Sequence, residues 1–97
     1  IVAAPDVVWG YLHLAYALHE LKRTQEAYDV VRPVIGKFRK SWLLRYNLAC
    51  YACRLGNLRE AKRWLQAAIA GGSDHDVKKM ALEDPDLESL WQAIKKL

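Results

Sequence analysis

The residues best equipped for chemistry are few. Cys50 and Cys53 form a Cys-x-x-Cys pair, the spacing of many zinc sites and dithiol redox centres. A tetrahedral zinc site needs two further ligands, and neither a second cysteine pair nor His13, His19 or His75 stands at a recognised spacing to supply them. No metal and no other cofactor is expected. A redox dithiol gains its reactive thiolate at a helix N-terminus. This pair falls mid-to-late in a predicted helix, where the dipole disfavours an anion. Two small, buried, reduced thiols are the expected state, and they suit a reducing, cytoplasmic compartment.

His13, His19 and Glu20 could in principle exchange protons, but acid–base catalysis also needs a nucleophile and an oxyanion site. Ser41 and Ser73 stand at predicted helix starts and read as caps, and Ser89 falls on the polar side of the last helix. There is no Ser/His/Asp arrangement and no glycine-rich phosphate loop. The expectation is a protein that is not an enzyme.

Charge points in another direction. Residues 1–72 carry eleven Lys/Arg against five Asp/Glu, a balance of +6, whereas residues 73–97 carry four against six, or −2. Lys37, Arg39 and Lys40, with Arg59, Lys62 and Arg63, could form a basic edge for an acidic protein. A solvated helical surface is the favoured account of them, because helical surfaces need charge for solubility, and nucleic acid is not the expected partner. The acidic tail could also pair with the basic body of the same molecule.

These side chains need elements to hold them. Ninety-seven residues, 53% apolar and 27% charged, make a single globular domain with little stability to spare. Nothing approaches the ~18 consecutive apolar residues of a membrane span, and no signal segment opens the chain. It begins at Ile1 and not Met, as a piece cut from a longer protein would.

The three prolines and five glycines sit mostly where helices would start or stop, and no strand-like alternation appears. Asp6 is the expected cap of a first helix reaching about Glu20, with Tyr11, Leu14, Ala15, Leu18 and Leu21 along one face. Thr24 is the expected cap of a second helix carrying Ala27, Val31, Val34 and Ile35, kinked but not broken at Pro33. Ser41 would cap a third, with Leu44, Leu48, Ala49, Ala52 and Leu55. Asn57 and Glu60 resemble a capping box for a fourth, which carries Ala61, Trp64, Leu65, Ala68 and Ile69 and stops at Gly71-Gly72. Asp74 could begin a fifth, and Asp84-Pro85 a sixth, because Pro favours the first helical position.

A shift of 34 residues brings Leu14 onto Leu48, Ala15 onto Ala49, Leu21 onto Leu55, Glu26 onto Glu60, Ala27 onto Ala61 and Ile35 onto Ile69. The small residues fall where paired helices must approach closely. With Leu55-Gly56-Asn57-Leu58-Arg59-Glu60-Ala61, this period resembles the tetratricopeptide repeat family. The first-helix aromatic is Tyr11 in one unit but Arg45 in the other, the turn glycine is Lys22 in the first unit, and the unit-ending proline is missing from both. The longer period and one-base-per-repeat code of the RNA-reading pentatricopeptide repeats fit less well.

The resemblance implies an all-α fold of antiparallel helix–turn–helix units stacked as a short right-handed solenoid, one domain over 1–97. Repeat one would span about 8–41, repeat two about 42–72, and a C-terminal cap about 73–97. The run Ala81-Leu82-Glu83-Asp84-Pro85-Asp86-Leu87 is similar to tails of bacterial members. Leu87, Leu90, Trp91, Ile94 and Leu97 form the stripe expected of a cap.

The resemblance further implies a concave groove lined by the first helix of each unit, in a scaffold that binds a peptide or protein. Its residues would be Trp9, Leu12, His13, Tyr16, His19 and Glu20, then Leu43, Tyr46, Asn47, Cys50, Cys53 and Arg54. Trp9, Tyr16 and Tyr46 would be the aromatic anchors, unless a preceding repeat or the C-terminal helix covers that surface. Asn47 matches one residue of the carboxylate clamp of chaperone-binding members. Leu12 and Tyr16 stand where that clamp needs Lys and Asn, so this ligand is not expected. The other expectation is an oligomerising or structural segment of a longer repeat protein, with a homo-oligomer as one outcome.

Overall fold

The computed structural model describes residues 5–72 and 76–97, with side chains from residue 8 onward. Among them the protein is all-α, and no helix is long and apolar enough to cross a membrane. The helices are α1 (Pro5–Glu20), α2 (Thr24–Val31), α3 (Trp42–Arg54), α4 (Leu58–Gly71), α5 (Val77–Leu82) and α6 (Trp91–Ile94). Two 3-10 segments, Arg32–Lys37 and Pro85–Leu90, follow α2 and precede α6. α1 packs on α2 and α3 on α4, α2 also lies against α3, and the 3-10 segment Pro85–Leu90 runs along α3.

The helix ends follow local chemistry. Ser41 Oγ accepts from the Leu44 N–H at 3.2 Å, and Asn57 Oδ1 from the Glu60 N–H at 3.3 Å, as expected of caps. The Asn57–Glu60 pair is not a reciprocal box, because the Asn57 N–H bonds the Ala52 carbonyl and Glu60 meets the Asn57 side chain instead. Thr24 does not cap α2. Arg23 occupies that position without a side-chain capping bond, and the Thr24 hydroxyl is engaged by His19. α1 includes Asp6 in its first turn and does not start behind it; the Asp6 side chain and Asp74 lie outside the described residues. Asp76 caps α5 through the Lys79 N–H.

Pro33 does more than kink the second helix. α-helical bonding stops at Val31 and the chain tightens to a 3-10 turn through Lys37, because Pro33 has no N–H to donate to the preceding turn. The predicted sixth helix divides likewise: 3-10 over Pro85–Leu90, α only from Trp91. Asp84 does cap it, its Oδ1 accepting the Asp86 N–H at 3.0 Å.

The 34-residue equivalence extends to the backbone. α1 closes with Lys22 N–H to His19 O and Arg23 N–H to Leu18 O; α3 closes with Gly56 N–H to Cys53 O and Asn57 N–H to Ala52 O. Both are Schellman turns that need a left-handed residue. Gly56 takes φ 86° without strain, whereas Lys22 is forced to φ 65°. Lys22→Gly is therefore expected to stabilise by about 0.5–1 kcal/mol, because the penalty for a left-handed Cβ outweighs the added freedom of the unfolded chain. A rise of a few degrees in Tm, read by circular dichroism, checks this.

The core runs through the paired faces: Ala15, Ala27 and Val31 in the first unit, then Leu44, Leu48, Ala49, Ala61, Leu65 and Ala68, all at 2% exposure or less. The departure at Arg45 has a structural reason. Its guanidinium donates to the carbonyls of Phe38 (2.8 Å) and Ser41 (3.0 Å), tying down the inter-unit loop where an aromatic would only have packed. Trp64 links α4 to α2, with its indole N–H near the Tyr28 hydroxyl and Arg32 5.3 Å above its ring.

The predicted face of α1 is only half correct. Tyr11, Ala15 and Leu18 pack inward, but Leu14 is 51% exposed and Leu21 also faces solvent. Leu48, 34 residues on from Leu14, is fully buried, in a helix that packs against α2, α4 and the 3-10 segment Pro85–Leu90.

Candidate functional site

Tyr46, Cys50 and Cys53 recur at steps of four and three along α3, which places them on one face. That face is already occupied by the chain itself. The Tyr46 hydroxyl donates to Asp84 Oδ2 at 2.8 Å, and the Cys50 thiol reaches the same oxygen at 3.7 Å. The backbone of Ser89 stands beside the Cys53 thiol. Two residues past Asp84, Asp86 Oδ2 receives the His19 Nε2–H at 3.0 Å, and its other oxygen stands 3.8 Å from Arg54 Nε. His19 Nδ1 lies 2.9 Å from the Thr24 hydroxyl, so a ring carrying its proton on Nε2 satisfies both contacts. The His19 ring also packs on Tyr51, 5.1 Å between centroids. Between the two carboxylates Pro85 forces the turn, and behind them Leu87 is fully buried. The tail's carboxylates thus meet the body mainly through hydrogen bonds from Tyr46 and His19, with Arg54 the one opposite charge among the described residues, 3.8 Å from Asp86.

Cys50, Asp84 and Asp86 bring three ligand-type atoms within 4.8 Å of one another. The two carboxylates already accept from Tyr46, His19 and the Asp86 N–H, and the Cys50 thiol donates to Asp84. Both cysteines are free and buried. Burial first, and the Asp84 and Asp86 carboxylates second, push the Cys50 thiol well above its ordinary range. Burial likewise pushes the Tyr46 phenol well up, and it raises the Cys53 thiol. A thiol so placed stays protonated and is a poor nucleophile.

These shifts set an alkaline limit on stability. The unfolded chain ionises Cys50 and Tyr46 near their ordinary values of 9.0 and 10.0, while the folded chain keeps both neutral. The unfolded state loses protons first, so this stabilisation is complete below pH 9 and is lost as pH rises above it. The expected Tm is level from pH 7 to about 8.5 and falls through pH 9–11, each such group adding at most about 1.4 kcal/mol per pH unit. In Cys50→Ala the fall should start later and be shallower.

The expected groove residues therefore divide. Tyr46 is buried and bound to Asp84, so it is not a free anchor; Leu12 is buried, and His19 and Arg54 are committed to Asp86. Cys50 and Cys53 are covered, and Asn47 and Leu43 are half-buried. Trp9 and Tyr16 remain 51% and 60% exposed, and His13 and Glu20 lie exposed on the same helix, with Trp9 tilted against His13 at 5.9 Å.

Above the occupied stretch lies an open cleft of about 670 Å³ between the first half of α1 and the loop into α3. Val8, Trp9, Leu12 and Leu43 supply apolar lining, with Phe38, and Lys37, Arg39, Lys40 and Ser41 edge it. Arg63 of the expected basic edge lines a different depression, beside Arg32 and Trp64. Sequence reasoning missed Val8, Phe38 and the structural role of Arg45. It also missed that Asp84 and Asp86 would fill the expected groove, although the opposite charges of tail and body were the available signal. No protein-family model, no curated protein and no solved structure matches this chain.

Proposed function

We propose that this chain is a tetratricopeptide-like module, two helix–turn–helix units stacked as a short right-handed solenoid with a C-terminal cap, that serves as a non-catalytic protein-interaction scaffold. The matched Schellman turns at Lys22 and Gly56 support the repeat reading, since they add a backbone correspondence to the residue correspondence. Protonated, buried thiols and a histidine tied to Asp86 support a role without catalysis, and two free cysteines suit a cytoplasmic setting.

The observation that carries the function is the apolar cleft beside Trp9, on the part of the expected groove that the tail leaves open. A cleft of this size admits one or two large side chains of a partner, and an exposed tryptophan supplies contact area at low entropic cost. Peptides selected against the protein from a random displayed library should lose at least about tenfold in affinity when Trp9 becomes Ala. Trp9→Ala should leave the melt nearly unchanged, since it removes an exposed side chain. Selected peptides indifferent to Trp9→Ala would refute the cleft as the site.

A second reading, that α1 is an oligomerising edge, is favoured by Leu14 alone: it is exposed where its repeat partner Leu48 is covered. Light scattering over a concentration series separates the two. A monomer supports the open cleft. A dimer dispersed by Leu14→Glu but not by Trp9→Ala supports edge-to-edge assembly.

A further inference from the structure

We propose that the cleft beneath the loop at residues 36–41 receives a short, extended, acidic segment of a partner protein, with one large apolar side chain between Trp9, Leu12 and Leu43 and its carboxylates on Lys37, Arg39 and Lys40. This rests on the reading of the cleft as a protein-docking site and adds the chemistry of the occupant.

Three cations stand within four residues at one rim of the cleft, and no acidic residue lines it among the described residues. The ion pairs of the described residues all lie elsewhere, at Asp86 and at Arg23–Glu26. Concentrated positive charge beside an apolar surface attracts a ligand that offers both carboxylates and an apolar side chain. The rim is also held in place before any ligand arrives. Arg45 pins the Phe38 and Ser41 carbonyls, the Ser41 N–H returns to Phe38 at 3.0 Å, and the Trp42 N–H to Lys40 at 3.1 Å. Such fixed geometry lowers the ordering cost of binding.

The molecule itself displays this binding mode one turn further along α3. There the chain's own Asp84-Pro85-Asp86-Leu87 packs against the helix, its two carboxylates on Tyr46 and His19, with Arg54 3.8 Å from Asp86, and its leucine buried. The open cleft continues the same surface through Leu43, three residues before Tyr46, with lysine and arginine as the polar partners.

The test uses a fluorescein-labelled peptide, Asp-Asp-Leu-Trp-Asp-Asp, and its amide counterpart, Asn-Asn-Leu-Trp-Asn-Asn, read by fluorescence polarisation on the whole chain. The acidic peptide is expected to bind at least about tenfold more tightly than the amide at low salt, with the gap narrowing as salt screens the rim. Lys37→Glu with Lys40→Glu should remove that gap, Trp9→Ala should weaken both peptides, and Lys62→Glu on the exposed face of α4 should change neither. Equal binding of the two peptides, still dependent on Trp9, would overturn the acidic occupant and leave the docking site standing. Failure of both peptides, while library-selected peptides still bind through Trp9, would overturn this inference alone; failure of all of them overturns both readings. A single-stranded oligonucleotide that binds more tightly, with the same dependence on Lys37 and Lys40, would assign the cleft to nucleic acid. A dimer broken by Trp9→Ala would assign it to a second copy of the chain. Either result overturns the proposal.

Discussion

A chain ending at Glu83 is expected not to fold cooperatively at room temperature. The removed residues include Leu87, Leu90 and Ile94, all buried, and Trp91, whose indole N–H donates to the Ala81 carbonyl at 2.9 Å. Fully burying one such aliphatic side chain contributes about 1.5–3 kcal/mol. The three together supply roughly 5–9 kcal/mol as an upper bound, against a total stability of about 5–15 kcal/mol for a small domain. The loss also strips the cover from α3, leaving the phenol of Tyr46 and the thiols of Cys50 and Cys53 facing water without Asp84 and Ser89. The measurement is a thermal melt by circular dichroism, with dye binding to report exposed apolar surface. A soluble 1–83 fragment melting cooperatively near the intact protein would sink the capping role and recast the tail as a partner-binding arm. Leu87→Ala is the milder companion, expected to cost about 2–5 kcal/mol for the cavity it leaves.

Ala61→Trp is the second change expected to be severe. Ala61, Leu65 and Ala68 recur at steps of four and three and are all fully buried, on the face that α4 turns to α3. An alanine at zero exposure marks a close helix–helix approach with no space for a larger group. An indole there must push the helices apart or leave its rotamer well, at a cost of about 3 kcal/mol or more. Its repeat partner Ala27 is buried to the same degree, so Ala27→Trp should act alike between α1 and α2. Urea denaturation gives the answer directly: an unchanged midpoint would mean that α3 and α4 do not meet at this position.

The helices and most of their ends were legible in the sequence because they depend on near neighbours. A cap bonds an N–H two or three residues on, a proline withholds a donor from the turn before it, and a left-handed turn asks for glycine. Ser41, Asn57, Asp84-Pro85 and Gly56 all act within that range. Even there, neighbours could be outbid: Thr24 has the right type to cap α2, yet its hydroxyl serves His19. The 34-residue step likewise aligned residues of like type, but alignment by itself says nothing of cover. Leu14 and Leu48 occupy the same place in their units, and only the second is buried, since burial depends on what packs above a face and not on the residue presenting it.

The candidate site shows the same division. Trp9, Tyr16 and His13, expected in a groove, do lie exposed on α1, whereas Tyr46 and His19, expected in the same groove, bond the tail, and Arg54 stays exposed 3.8 Å from Asp86. Those pairings join residues 38 and 67 positions apart, Tyr46 to Asp84 and His19 to Asp86. Local propensity and helical period carry no information over such distances. Only the packed chain, with Leu87 buried and Asp84 and Asp86 set against Tyr46 and His19, decided that this face of α3 is covered by the protein's own tail while the cleft beside Trp9 stays open.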